Sequence, residues 1–139
     1  MSQPDAKIVA TWKNALAFDI SSADVPSVRI DCDGNTGSGP IQALLGALAS
    51  CAASDVVVIL EKQRTPVESL EIEVAAKRVG DTPRRLDSVE LTWRIAGAGI
   101  SREAAERAIA LSLDKYCSIR ASLNSLITIS SVIELQGNS

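Results

Sequence analysis

Histidine is absent from all 139 residues, and Phe, Trp and Tyr together make up only 3%. Without imidazole the chain has neither the commonest general base nor the commonest metal ligand, so no metal and no other cofactor is expected. Basic runs are also missing: 14 Lys and Arg stand against 17 Asp and Glu, for a net charge of −3. With almost no aromatic side chains to stack on bases, this balance argues against nucleic-acid binding. No N-terminal apolar signal region is seen, and the longest apolar stretch is interrupted by Gln42, Cys51, Ser54 and Asp55. The expectation is a soluble, cytoplasmic protein with no membrane segment. Three cysteines, an odd number at wide spacings, do not make the disulfide framework of a secreted domain.

What is present is apolar aliphatic sequence, 46% of the chain by the broad hydrophobic count. One domain spanning 1–139 is long enough to bury a core without staples. Its organising stretch is Gly39 to Arg64, GPIQALLGALASCAASDVVVILEKQR. Pro40 suits a first helical turn, where its missing N–H is not needed. Small and straight-chain apolar residues then continue for about six turns, and Glu61, Lys62 and Arg64 close the helix. A helix apolar nearly all round should be central and covered on most sides.

Around it the pattern alternates. Lys7 to Trp12 and Ala15 to Ile20 read as strands about a Lys13-Asn14 turn, and Val28 to Asp33 as a third, with Val28, Ile30 and Cys32 on one face. Loop residues Asp33 to Gly39 feed the helix. Ser69 to Val79 and Leu86 to Ala96 are strands about a Gly80-Asp81-Thr82-Pro83 turn, and Trp12 and Trp93 are expected to pack on sheet. Ser101 can cap a second helix running to about Tyr116, with Glu103 in its first turn. Ser118 to Leu126 reads as a short helix or turn, and Ile127 to Leu135 as a last strand. The order βββ-α-ββ-α-(α)-β predicts an α+β fold: a β-meander, a long central helix, a second sheet portion and C-terminal helices, the helices on one face of the sheet. One amphipathic helix and a short one cannot cover the rest of the central helix. A second copy can, in a symmetric interface, so an obligate homodimer is expected.

Three segments, GPIQALLGALASCAASDVVVILEKQR, TPVESLEIEV and ISREAAERAIALSLDKYCSIRASL, together resemble the OsmC/Ohr family of osmotically induced and organic-hydroperoxide-resistance proteins. The match runs in order over most of the chain. Cys51 in C-x-x-x-D-V-V and Cys117 in K-Y-C-S look most like the OsmC-like branch. The resemblance implies an OsmC-like fold in an intertwined homodimer with two interfacial active sites, and cysteine-based reduction of hydroperoxides, organic ones especially. It implies Cys51 as the peroxide-attacking residue and Cys117 as the resolving one, with an external dithiol, of lipoyl type in better-known members, reversing the disulfide.

Activation of the thiol calls for a nearby positive charge or hydrogen-bond donors. The Ohr-type pattern draws an arginine from the first strands and a glutamate from the start of the central helix. Here the first hairpin holds no arginine, Lys13 is its turn cation, and Gln42 stands where related sequences often have Glu. Nine residues of helix are about 900° and roughly 13 Å of rise, so Gln42 does not touch the Cys51 of its own regular helix. Asp55, one turn beyond Cys51, either raises the thiol pKa unless a cation neutralises it or serves as an interface hydrogen-bonding group. Arg120, Lys115 and Arg64 are the candidate cations; Lys115 and Arg120 read equally as solvated charges near a helix end. Cys32 reads as a small buried or edge residue, and Tyr116 either lines the pocket or, the favoured reading, plugs the core. Two functions follow: a thiol peroxidase for organic hydroperoxides, or a dimeric protein whose interfacial pocket binds a small apolar or electrophilic ligand without turnover of the cysteines.

Overall fold

The computed structural model describes residues 3–23 and 25–136. The chain divides into two compact units, Met1–Leu45 and Gly46–Ser139.

In the first unit, strands β1 (Val9–Asn14), β2 (Ala17–Ser22) and β3 (Val25–Asp31) form an antiparallel sheet in that order. The first hairpin turns at Ala15-Leu16, two residues later than the sequence pattern suggested, because Trp12 pairs with Phe18 and Ala10 with Ile20. Ala15 takes a positive φ of 45° there, and its carbonyl accepts the Trp12 indole N–H at 2.8 Å. Trp12 is 63% exposed rather than packed down.

The expected alternation of β3 is also corrected. Asp31 is buried and Cys32 is exposed in the loop that follows. The Asp31 carboxylate accepts the backbone N–H of Asp33 at 2.9 Å and of Thr36 at 3.0 Å, and the Thr36 hydroxyl at 2.9 Å. Those donors hold its pKa below the usual carboxylate range, and they fold the chain out of the strand. Arg29 pairs across the sheet with Asp19.

Helix α1 (Pro40–Lys62) begins in the first unit and runs into the second. It has the length and hydropathy of a membrane span, with a mean hydropathy of 2.1 over its most apolar window. Within the second unit, however, it buries a single stripe, Leu48, Ala52, Val56 and Leu60, at the four-residue spacing of one helix face. Val57 and Val58 are 37% and 47% exposed. The chain by itself therefore leaves α1 less covered than its all-round apolar sequence suggested. Thr65 N–H closes the helix end on the Leu60 carbonyl at 3.0 Å.

Strands β4 (Ser69–Arg78), β5 (Leu86–Ala96) and β6 (Thr128–Gln136) form a second sheet with β5 central, antiparallel to β4 and parallel to β6. The strands thus lie in two three-stranded sheets. A parallel pair requires a crossover. This one carries α2 (Arg102–Leu111), a π-helical turn (Ser112–Tyr116) and α3 (Ser118–Ser122). The Ser101 hydroxyl caps α2 by accepting Ala104 N–H at 3.0 Å. Strand β5 buries Val89, Leu91, Trp93 and Ile95, and α2 buries Ala105, Ala108 and Ile109. Gly97 ends β5 where a Cβ would lie 2.6 Å from the Pro66 carbonyl oxygen.

Trp93 is fully buried and its indole N–H donates to Ser131 Oγ at 3.2 Å. Trp93→Ala is expected to lower stability by about 3–5 kcal/mol, and Ser101→Ala by about 1 kcal/mol. Urea denaturation followed by circular dichroism checks both; equal, small losses would contradict this picture of the core.

Candidate active site

The second unit brings Cys51 and Cys117 together. Cys51 sits mid-way along α1, half-buried; Cys117 is 3% exposed at the junction between the π-helical turn and α3. Cys51 lies near enough to Cys117 for its side chain to help raise the Cys117 pKa. No disulfide joins them, and Cys32 is the third free thiol.

Local backbone geometry explains how Cys117 arrives there. The helix begun at Arg102 does not continue as an α-helix to Tyr116; from Ser112 it widens into a π-turn closed by Cys117 N–H on the Ser112 carbonyl at 2.7 Å. Such a turn accommodates one extra residue, which re-aims the next side chain by about 100° around the helix axis. Cys117 then leaves the helix in an extended conformation, and its sulfur accepts Arg120 N–H at 3.4 Å.

Burial pushes the Cys117 thiol above its ordinary range. The amide of Arg120 opposes this, the Cys51 side chain adds to it, and the amide of Ile119 again opposes it. Cys117 is thus held as the neutral thiol.

Asp55 lies one turn beyond Cys51 and is half-buried. Its partner is not a cation but Ser112, whose hydroxyl donates to Asp55 Oδ2 at 2.8 Å and lies 3.2 Å from the Ala52 carbonyl. The expected cations are engaged elsewhere. Arg120 donates from its guanidinium to the carbonyls of Ile127 at 3.0 Å and Asn124 at 3.4 Å. It lines, with Cys117, a hollow of about 240 Å³. Lys115 Nζ stands 5.3 Å from the Tyr116 ring centroid, a cation–π contact. Arg64 is exposed beyond the end of α1, at a positive φ of 64°.

Tyr116 is 52% exposed and so does not plug the core. It borders a groove of about 500 Å³ with Asp55, Val58, Ile59, Lys62 and Leu111. Gln42 is exposed in the first turn of α1, within the first unit, and lines a hollow there with Cys32 and Gly34. Among the described residues, no three His, Cys, Asp or Glu cluster as metal ligands.

Ser112 is the site residue that the sequence reading missed. A signal was present: it continues the buried stripe Ala105, Ala108, Ile109 at helical spacing, where a hydroxyl needs a partner.

Residues 33–132 match the OsmC-like protein family. The chain belongs to that family. This OsmC-like protein is 32% identical over 127 residues to the Escherichia coli K12 protein YhfA, covering 89% of its own length and 93% of that relative. Its fold superposes on an OsmC-like protein from Mycoplasma pneumoniae with a TM-score of 0.80 at 21% identity, over 95% of this chain and 99% of the other. It also superposes on the organic hydroperoxide resistance protein OhrB of Bacillus subtilis, with a TM-score of 0.63 at 18% identity, over 93% and 98% of the two chains.

A raised Cys117 pKa has a defined pH signature. The neutral thiol's contribution to stability is complete below the unfolded-state pKa and fades as pH rises through the folded one. Alkylation of Cys117 by iodoacetamide should accordingly begin at higher pH in the native reduced protein than in urea, read by peptide mass spectrometry. Identical pH profiles would contradict the assignment.

Proposed function

We propose that this OsmC-like protein is a thiol-dependent peroxidase that reduces organic hydroperoxides, and hydrogen peroxide less well, in defence against oxidative stress. One observation carries the reading. Cys51, half-buried on α1, and Cys117, buried at the end of the π-turn, are brought close by the packing of Ser112 on the Ala52–Asp55 turn, near enough for Cys51 to act on the Cys117 thiol. A fold shared with organic hydroperoxide resistance proteins supports it.

Exposure supports the division of labour. Cys51 is the more exposed thiol of the pair, and in this reading it attacks the distal peroxide oxygen as a thiolate. The O–O bond breaks, the alkoxide takes a proton and leaves as the alcohol, and Cys51 becomes a sulfenic acid. Cys117 then attacks the sulfenic sulfur, the S–S bond forming as the S–O bond breaks, and its thiol proton passes to the departing hydroxide, which leaves as water. Two thiols and one hydroperoxide thus become one disulfide, one alcohol and one water. An external dithiol, of lipoyl type, returns the pair to the reduced state by exchange. Closure to a disulfide protects Cys51 from sulfinic and sulfonic oxidation.

The working unit in this reading is a homodimer. Apolar surface left open in each unit supports it: Val57 and Val58 on α1 in the second, and Trp12, Val25 and Val28 at 60% exposure or more in the first. Open apolar surface of this kind marks a site of association. The groove bounded by Asp55, Val58 and Tyr116 favours a second reading, a dimer that binds a small apolar or electrophilic molecule without turning over its thiols.

A peroxide-consumption assay with dihydrolipoamide as reductant separates the two. tert-Butyl hydroperoxide should be consumed faster than hydrogen peroxide. Cys51→Ser should abolish turnover, and Cys117→Ser should allow one turnover followed by over-oxidation of Cys51. Absence of turnover in the reduced wild-type protein, or activity surviving Cys51→Ser, would overturn the peroxidase reading.

A further inference from the structure

We infer that Ser112 is the positioning residue of the thiol pair, acting through its hydrogen bond to Asp55 to hold Cys117 against the turn of α1 that carries Cys51. The inference rests on reading Cys51 and Cys117 as a redox pair, and it names the group that sets how readily that pair closes.

Two hydrogen bonds from one fully buried residue make the link. On one side the Ser112 hydroxyl shares its proton between Asp55 Oδ2 at 2.8 Å and the Ala52 carbonyl at 3.2 Å. Both partners belong to the helical turn that begins at Cys51. On the other side the Ser112 carbonyl accepts Cys117 N–H at 2.7 Å, the bond that closes the π-turn. Cys51 and Cys117 are therefore joined through a short chain of backbone and two hydrogen bonds, with Ser112 as the shared member.

A hydroxyl in this place is otherwise costly. Ser112 falls on the buried stripe of α2 and its continuation, where an alanine like Ala105 or Ala108 would bury no polar group. Retaining the hydroxyl leaves no buried side-chain polar atom without a partner among the described residues. The shorter of its two contacts is to the half-buried carboxylate next to the reactive turn, a charge-assisted bond stronger than one between neutral groups. The effect expected is on geometry. Disulfide closure needs the two sulfurs brought to bonding distance with a defined dihedral, whereas attack of Cys51 on a small peroxide does not involve Cys117 at all. Loss of the Ser112–Asp55 bond should slow and weaken closure and leave the first step alone.

The test uses the full chain in a Cys32→Ser background, so that only the pair can cross-link. Equilibration in reduced and oxidised glutathione gives the effective concentration of Cys117 toward Cys51, a readout independent of peroxide chemistry. Ser112→Ala should lower it by roughly tenfold to a hundredfold, the scale of a small misplacement of reacting groups. Asp55→Ala should do the same, and the double variant should lose no more than either alone. Asp55→Asn keeps an oxygen acceptor and should restore most of the wild-type value.

In parallel, with Cys117 also replaced by serine so that closure cannot compete, the rate at which dimedone labels Cys51 after a peroxide pulse should be the same with and without Ser112→Ala. Asp55 is less buried than Ser112, so Asp55→Ala reads the same bond should Ser112→Ala lose its fold. Wild-type closure in folded Ser112→Ala or Asp55→Ala, or additive losses in the double variant, overturns the inference. Normal peroxide turnover together with such wild-type closure removes this inference alone. A response in glutathione from a wild-type protein that consumes no peroxide upholds the positioning role and removes the peroxidase reading instead.

Discussion

The hydrogen bond from the Ser112 hydroxyl to the Asp55 carboxylate, 2.8 Å long, is the constraint on which the arrangement of the thiols depends. It crosses from the crossover connection to α1 within the second unit, and the groups on either side of it are the ones that carry chemistry. Asp55 follows Cys51 by one turn. Ser112 opens the π-turn whose last bond places Cys117. A carboxylate beside a nucleophilic thiol is unfavourable in itself. Engaged by a hydroxyl, it serves instead as the anchor for the segment that delivers the second sulfur.

The fold makes this possible because β5 and β6 are parallel. A hairpin would join antiparallel strands in a few residues, but a parallel pair obliges the chain to cross over the sheet. That crossover supplies α2, the π-turn and α3, and so carries Cys117 to the helix bearing Cys51. The core beneath is conventional: a wholly buried Trp93 on β5, a stripe on α1 and a second stripe on α2. The outer face of the same sheet is charged, with Arg94 reaching Glu71, Glu73 and Glu134. Exposed pairs of this kind add little to stability; their value is in keeping that face wet.

Much of this was legible from residue order. The strands β4 and β5, the capped start of α2 at Ser101 and the start of α1 at Pro40 follow from alternation, capping and proline placement. The pairing of Cys51 with Cys117 came from family resemblance, because nothing local links residues so far apart in the chain. Three features escaped for identifiable reasons. The first hairpin turn moved to Ala15-Leu16 because cross-strand pairing of Trp12 with Phe18 outweighed the turn propensity of Asn14. Cys32 and Asp31 exchanged places because the Asp31 carboxylate organises three donors of its own loop. The π-turn at Ser112 has no periodicity of its own, so the sequence reads as one helix through Tyr116. Charge alone does not select a partner for Asp55. Backbone carbonyls and an aromatic ring hold Arg120 and Lys115 instead.

In the proposed cycle Cys51 and Cys117 form the redox pair and Cys32 takes no part. Treating the reduced protein with a single equivalent of tert-butyl hydroperoxide and mapping its peptides by mass spectrometry tests this most directly. The predicted result is one cross-link between the Cys51 and Cys117 peptides, with the mass of two hydrogens lost and Cys32 still alkylatable. A protein that keeps all three thiols, or that links Cys32 in place of either member of the pair, would contradict it.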